Sequence, residues 1–202
     1  MSMRFTYTTG PGGANKIRRF PTKVVNIIGG PGTQKSFYTA LLTLLAHRHQ
    51  MSVETIPDHA KFLVWQQDME ALKNQYQIAH QQYQMLSLLD GQVHFLINEC
   101  SFPQLLYYNQ YYPENICDVN KTKRQMLQWY GEFENVNLLV LRDPNVPYHN
   151  TGRLQDEEKA HEADKHLRAT LLYENIRFTS VLPSEEAILE FGRTHLLGVP
   201  KS

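Results

Sequence analysis

The stretch KVVNIIGGPGTQKSFYTALLTLL, residues 23–45, decides the fold. It opens with a β-branched run, Lys23 to Ile28, that reads as a buried strand. It closes with Tyr38, Leu41, Leu42 and Leu45 at spacings of three and four, which mark a helix. Between them lies GGPGTQKS, residues 29–36, close to a phosphate-binding loop, G-x-x-x-x-G-K-S/T, in the strand–turn–helix setting that loop requires. Gln34 stands where the pattern has its last glycine. In such a loop the backbone N–H groups and the helix N-terminus surround a polyphosphate. Lys35 then reaches the β and γ phosphates, and Ser36 holds Mg²⁺. Gly29, Gly30, Pro31, Gly32, Thr33, Gln34, Lys35, Ser36 and Phe37 are therefore the candidate ATP site. The cost of Gln34 turns on whether its position demands left-handed backbone, which glycine adopts freely.

Upstream, residues 1–22 are glycine-rich and basic and read as an irregular lead-in. GPGGANK at 10–16 mimics the loop spacing, but Ile17 follows where a hydroxyl is needed, and Pro21 would soon break a helix. Downstream, strand-like and helical segments alternate. Strands are expected at MSVETIPD (51–58), QVHFLINE (92–99), NVNLLVLRD (135–143) and IRFTSV (176–181). Helices are expected near 59–73, 75–89, 102–111, 121–133, 156–174 and 184–195, the last with Ser184 as N-cap. Alternation of this kind predicts an α/β fold whose parallel sheet is covered on both faces. There is no repeat and no linker, so residues 23–202 read as one domain.

With 202 residues the chain can bury a core without cross-links. Lys plus Arg and Asp plus Glu are 20 each, which gives no global field to hold nucleic acid or an anionic membrane. Two cysteines, Cys100 and Cys117, are too few for a disulfide framework and point to a reducing compartment. No apolar run is long enough to span a bilayer. A cytoplasmic protein, including one in a phage-infected host, is the expectation.

Several segments resemble, in order and spacing, a family of phage and bacterial P-loop proteins whose kinase domain is similar to that of the nicotinamide-ribonucleoside kinase NadR. They are NIIGGPGTQKSFYTALL, VETIPDHAKFLVW, QYQIAHQQ, FLINECSFPQLLYYN and NTGRLQDEEKAHEADKHL before NIRF. The resemblance implies a three-layer P-loop fold with about five parallel strands, like that of nucleoside-monophosphate kinases. It implies ATP and Mg²⁺ as cofactors. The acceptor would be a nucleoside, a nucleotide or a hydroxymethylated pyrimidine, since some relatives phosphorylate 5-hydroxymethyluracil in DNA. Such proteins carry an acid after the second strand, here Asp58, placed to accept the proton of an acceptor hydroxyl. Asp58 also reads as a helix N-cap. Where the family has Asp-Ser-Pro, this chain has Glu99-Cys100-Ser101, and Glu99 becomes the metal-supporting carboxylate. Cys100 reads as a buried filler. The loop at about 143–155 resembles a lid, which makes Arg142 and Arg153 candidates to close over the transferred phosphate. Arg142 reads equally as a partner of Asp143 or Asp156, and Arg168 is a weaker candidate.

Gln75, Ile78 and Gln82 share a helical face that either reads a base edge or is solvated, the latter being favoured. Trp65 and Tyr76 either stack on a base or belong to the core, and aromatics at helical spacing favour the core. HEADKH (161–166) has its histidines five apart, the wrong spacing for a zinc pair, and reads as a solvated charged helix. KIRR (16–19) is a modest basic patch. The combined reading is a kinase, with a homodimer as a further possibility. The rival is a degenerate nucleotide-binding module acting through a partner, for which Gln34 and Glu99 argue.

Overall fold

The computed structural model describes residues 6–9, 15–149 and 155–198. Among these, β1 (Thr6–Thr9) and β2 (Asn15–Arg18) pair as an antiparallel ribbon, so the lead-in is more ordered than its glycine content suggests. The ribbon is followed by a tether to the domain: Arg19 and Phe20 donate backbone N–H bonds to the Gly91 carbonyl.

Five further strands form one parallel sheet: β3 (Lys23–Ile28), β4 (Val53–Ile56), β5 (Phe95–Asn98), β6 (Glu134–Val140) and β7 (Thr179–Val181). Their order is β4-β5-β3-β6-β7, with the glycine-rich turn leaving the central strand. Strand β3 alternates as a two-sided strand must. Val25 and Ile27 face a core shared with α1 (Lys35–Arg48) and α8 (Glu185–His195). Val24 and Ile28 face a second core. That core is covered by α2 (His59–Gln66), α3 (Met69–Leu72), α4 (Gln75–Leu89), α5 (Phe102–Tyr111), α6 (Val119–Tyr130) and α7 (Glu157–Tyr173). No helix among the described residues is long and apolar enough to cross a membrane.

The helix expected over 59–73 is two helices. Gln67 takes left-handed backbone (φ 58°) and ends α2, and the Asp68 carboxylate then caps α3 by accepting from Ala71 N.

The second core contains a polar seam that sequence periodicity does not reveal. Asn98, Asn26 and Asn137 sit side by side in register on β5, β3 and β6. Asn98 donates to Asn26 (2.9 Å), Asn26 donates to Asn137 and Asn135 (2.9 Å each), and Asn137 donates to the Tyr130 hydroxyl. Gln82 joins from α4, donating to Asn98 at 2.6 Å. The expectation of a solvated glutamine face is therefore corrected: Gln75, Ile78 and Gln82 are all buried. A buried amide is tolerable only with partners, and the asparagine row supplies them for Gln82 Nε2.

Candidate active site

All five parallel strands point their C-terminal ends to one edge of the sheet, where open α/β sheets bind ligands. Three chain segments meet there. The turn after β3 carries residues 29–34, the end of β4 carries Asp58, and the end of β5 carries Glu99. They line a cleft of about 400 Å³ with Lys61, Val64 and Trp65 from α2, Gln104 and Tyr108 from α5, then Tyr112, and Gln155 from across the cleft.

The loop's backbone is set by its glycines and by close neighbours. Gly32 has φ +86°, and a Cβ there would lie 2.9 Å from the Tyr148 ring. A Cβ on Gly30 would overlap the Asp164 carboxylate. The loop thus presents bare backbone, as a polyphosphate cradle needs. Gln34 does occupy the left-handed region (φ 58°, ψ 28°) at the N-cap of α1, with no side-chain capping bond. A non-glycine residue in that region costs about 1–2 kcal/mol. Gln34 thus holds the backbone conformation that glycine adopts freely, at the cost of strain.

Lys35 Nζ donates to the carbonyls of Gly29 (2.8 Å) and Gly30 (3.2 Å), folding back over the loop. Burial pushes its pKa below the ordinary lysine value, and the nearby acids Asp58 and Glu99 oppose that shift. Ser36 Oγ donates to Glu99 Oε2 at 2.9 Å, so the two expected metal-supporting groups are in direct contact. A Mg²⁺ ion bound with a polyphosphate needs only one or two protein oxygens, since phosphates and waters complete its octahedron. The residues present fit both ATP and the ion. Among the described residues, no cluster of three or more His, Cys, Asp or Glu side chains could hold a metal by itself.

Asp58 is placed both at a helix N-terminus and in the cleft. It is the N-cap of α2, accepting from Lys61 N at 3.3 Å, and it also lines the cleft. Burial, with Asp58 beside it, pushes the Cys100 thiol well above its usual pKa. A thiol shifted in that direction is disfavoured as a thiolate nucleophile.

Arg142 pairs with neither Asp143 nor Asp156. Its Nε donates to Asp164 Oδ2 at 2.6 Å and its Nη2 to Asp164 Oδ1 at 3.2 Å. Nη2 also reaches the carbonyls of Pro31 (2.8 Å) and Ala160 (3.2 Å). The guanidinium lies against the outer side of the loop, by a small cavity that Arg168 also lines, and is not part of the cleft lining. Arg153 lies outside the described residues. Asp164 was missed in the sequence because HEADKH reads as a solvated helix. Only the fold brings α7 against residue 30.

Two aromatic expectations are corrected. Trp65 is 58% exposed and lines the cleft instead of entering the core. Tyr76 is 40% exposed and packs against His80 and Trp129. Phe37 is exposed at the cleft margin. Gln104, unremarked in the sequence, is 2% exposed, lines the cleft, and carries a side-chain oxygen with no partner.

No protein-family model matches the chain, and no curated protein matches it in sequence. Solved structures do match in fold. NadR in complex with NR superposes with a TM-score of 0.67 at 16% identity, over 92% of this chain and 54% of that one. NadR in complex with NAD and AMP-PNP gives 0.62 at 16% identity, over 90% and 51%. A deoxyadenosine kinase from M. mycoides, with dCMP and a flexible dCDP bound, gives 0.55 at 13% identity, over 87% and 100%. This chain thus spans about half the length of the NadR chains. The fold is that of P-loop kinases.

Proposed function

We propose that this protein is an ATP-dependent phosphotransferase that phosphorylates a hydroxyl of a nucleoside, a nucleotide or a hydroxymethylated pyrimidine, the last also within DNA. The observation that carries the reading is the convergence on one cleft of Lys35, the Ser36–Glu99 pair at 2.9 Å, and Asp58. A decayed site has no reason to keep these groups together. ATP with Mg²⁺ would supply the γ-phosphoryl group and the charge neutralisation that its transfer needs.

The chain's own residues divide the work. The backbone of 29–36 and the α1 N-terminus would hold phosphates, and Lys35 would add its ammonium, two of whose three donors serve the Gly29 and Gly30 carbonyls. Ser36 and Glu99 would hold the metal ion, directly or through water. Asp58 takes the proton of the acceptor hydroxyl, and its bond from Lys61 N orients the carboxylate for that task. Arg153, whose placement is outside the described residues, is the proposed cation for the charge that develops on the transferring phosphate.

The acceptor wall favours a flat ring with little charge. Trp65, Tyr108 and Tyr112 line it with aromatic side chains, and Gln104 adds an amide whose buried oxygen has no partner. Lys61 is the one cation on this wall among the described residues, which is sparse for an acceptor that already carries a phosphate. A nucleoside is therefore the first acceptor to try. The deoxyadenosine kinase of the same fold is named for such an acceptor.

The test is transfer of labelled γ-phosphate from ATP·Mg²⁺ to nucleosides, deoxynucleotides and hydroxymethyluracil-containing DNA, with Lys35→Ala as control. Label on one acceptor, lost in the variant, supports the kinase and names its substrate. Nucleotide binding without transfer to any acceptor supports the degenerate binding module instead.

A further inference from the structure

We propose that Asp164 and Arg142 form a clamp that holds the phosphate loop in its cradling shape and offsets the backbone strain at Gln34. Both are positioning residues, and the inference rests on the reading of residues 29–36 as a nucleotide site.

The clamp grips two consecutive residues of the loop, Gly30 by its N–H and Pro31 by its carbonyl. Asp164 Oδ1 accepts from Gly30 N at 3.1 Å, and Arg142 Nη2 donates to Pro31 O at 2.8 Å. The two side chains lock each other in a fork, which fixes the direction of both bonds. Both are largely shielded from solvent, with side-chain exposures of 14% for Arg142 and 26% for Asp164. Glycine is required at position 30 because a Cβ would take the place of the carboxylate.

Elsewhere the loop is held by groups that have other duties. Thr33 Oγ1 donates to Gly30 O at 2.9 Å, and Lys35 donates to Gly29 O and Gly30 O. The Lys35 ammonium spends two of its three donors on these carbonyls, and a phosphate that draws on it competes with both. To that extent the N-terminal half of the loop depends on the clamp and on Thr33. At the C-terminal half, Gln34 sits in a backbone region that glycine would occupy without strain, so the loop is biased to relax away from the cradle. Two opposing terms on one eight-residue loop must couple.

The clamp also neighbours the lid segment. Arg142 lies 5.9 Å from the Tyr148 ring centre, and that ring flanks Gly32. Tyr148 donates its hydroxyl to Gln155 O at 2.6 Å.

The experiment is a double-mutant cycle on the full chain with Asp164→Asn and Gln34→Gly. Two readouts are taken: amide hydrogen exchange of residues 29–36 without nucleotide, and the Kd for AMP-PNP. Asp164→Asn alone should speed exchange and weaken the Kd, each by about tenfold, the scale of one charge-assisted hydrogen bond. In the Gln34→Gly background the same change should cost no more than about threefold, a coupling expected only of groups that share a structural element. Equal fold-changes in both backgrounds would overturn the proposal, as would unchanged exchange in Asp164→Asn. Arg142→Lys, which keeps the charge and loses the fork, is the second variant and should follow the same pattern. If the wild type binds no nucleotide, the site reading fails, and the exchange cycle still decides the clamp.

Discussion

On the donor side of the cleft, residues 29–36 offer backbone, and their positions are set by bonds from Asp164, Arg142, Thr33 and Lys35. On the acceptor side, α2 and α5 offer side chains: an exposed Trp65, two tyrosines and a glutamine with an unpartnered oxygen. The contrast separates two kinds of constraint. A polyphosphate is the same object in every nucleotide, so a fixed backbone cradle suffices. An acceptor differs from one enzyme to the next, and side chains on helix faces can change without disturbing the sheet. The donor wall should be intolerant and general, the acceptor wall tolerant and specific.

That division can be broken most severely at Lys35. Lys35→Met should weaken AMP-PNP binding by roughly 100-fold, the loss expected when one partner of a buried charge pair is removed. The same variant should melt no lower than the wild type, because it removes a desolvated cation. Calorimetric titration and thermal unfolding check the two halves of that statement. A drop in both would mean that Lys35 is chiefly structural.

Glu99→Gln should touch the donor wall through the metal alone. The Mg²⁺-dependent part of nucleotide affinity is expected to fall about tenfold or more, with metal-free affinity unchanged. Titrations with and without Mg²⁺ give the comparison.

Gln104→Leu should act on the acceptor wall only. It keeps the volume and removes the amide, so kcat/KM for the accepted nucleoside should fall about tenfold while KM for ATP holds. Equal loss for every acceptor would remove Gln104 as a specificity element.

pH sharpens the donor side further. Lys35 has its folded pKa below its ordinary value of 10.5 because of burial. For a base shifted in that direction, the unfolded chain holds more protons within the window between the two values. Stability therefore rises with pH through that window. Nucleotide binding needs the ammonium and should fall across the same range. Opposite slopes in unfolding free energy and in affinity, below the ordinary lysine value, are the expected signature, and Lys35→Met should flatten both.

The smallest effect is a control away from the cleft. Gln67 shares the left-handed backbone of Gln34 (φ 58°) but ends a helix. Gln67→Gly should raise stability by less than about 1 kcal/mol, since relief of strain is partly offset by a more flexible unfolded chain. Nucleotide affinity should not change.

Much of the donor wall was legible in the sequence. Gly30, Gly32, Lys35 and Ser36 carry their meaning in local spacing, and the strand and helix around them follow from periodicity. The αL backbone of Gln34 was posed as a question that only the fold could answer. Asp164 was illegible for the opposite reason. Its role depends on α7 crossing the loop 134 residues away in sequence, and locally it is one acid in a charged helix. The asparagine row shows the same limit: Asn26, Asn98 and Asn137 gain meaning only when three strands align. Gln82 looked solvated because polar helix residues usually are, and Trp65 looked buried because aromatics usually are. Both expectations fail where a polar seam or a binding wall reverses the ordinary preference.

The account stands most directly on Asp58, which joins the two walls. In Asp58→Asn, measured on one preparation, kcat for phosphoryl transfer should fall by about 10²–10⁴ while the AMP-PNP Kd stays within about twofold of the wild type. Transfer that survives the change, or a nucleotide affinity that collapses with it, would contradict the division between a backbone that binds and a carboxylate that takes the proton.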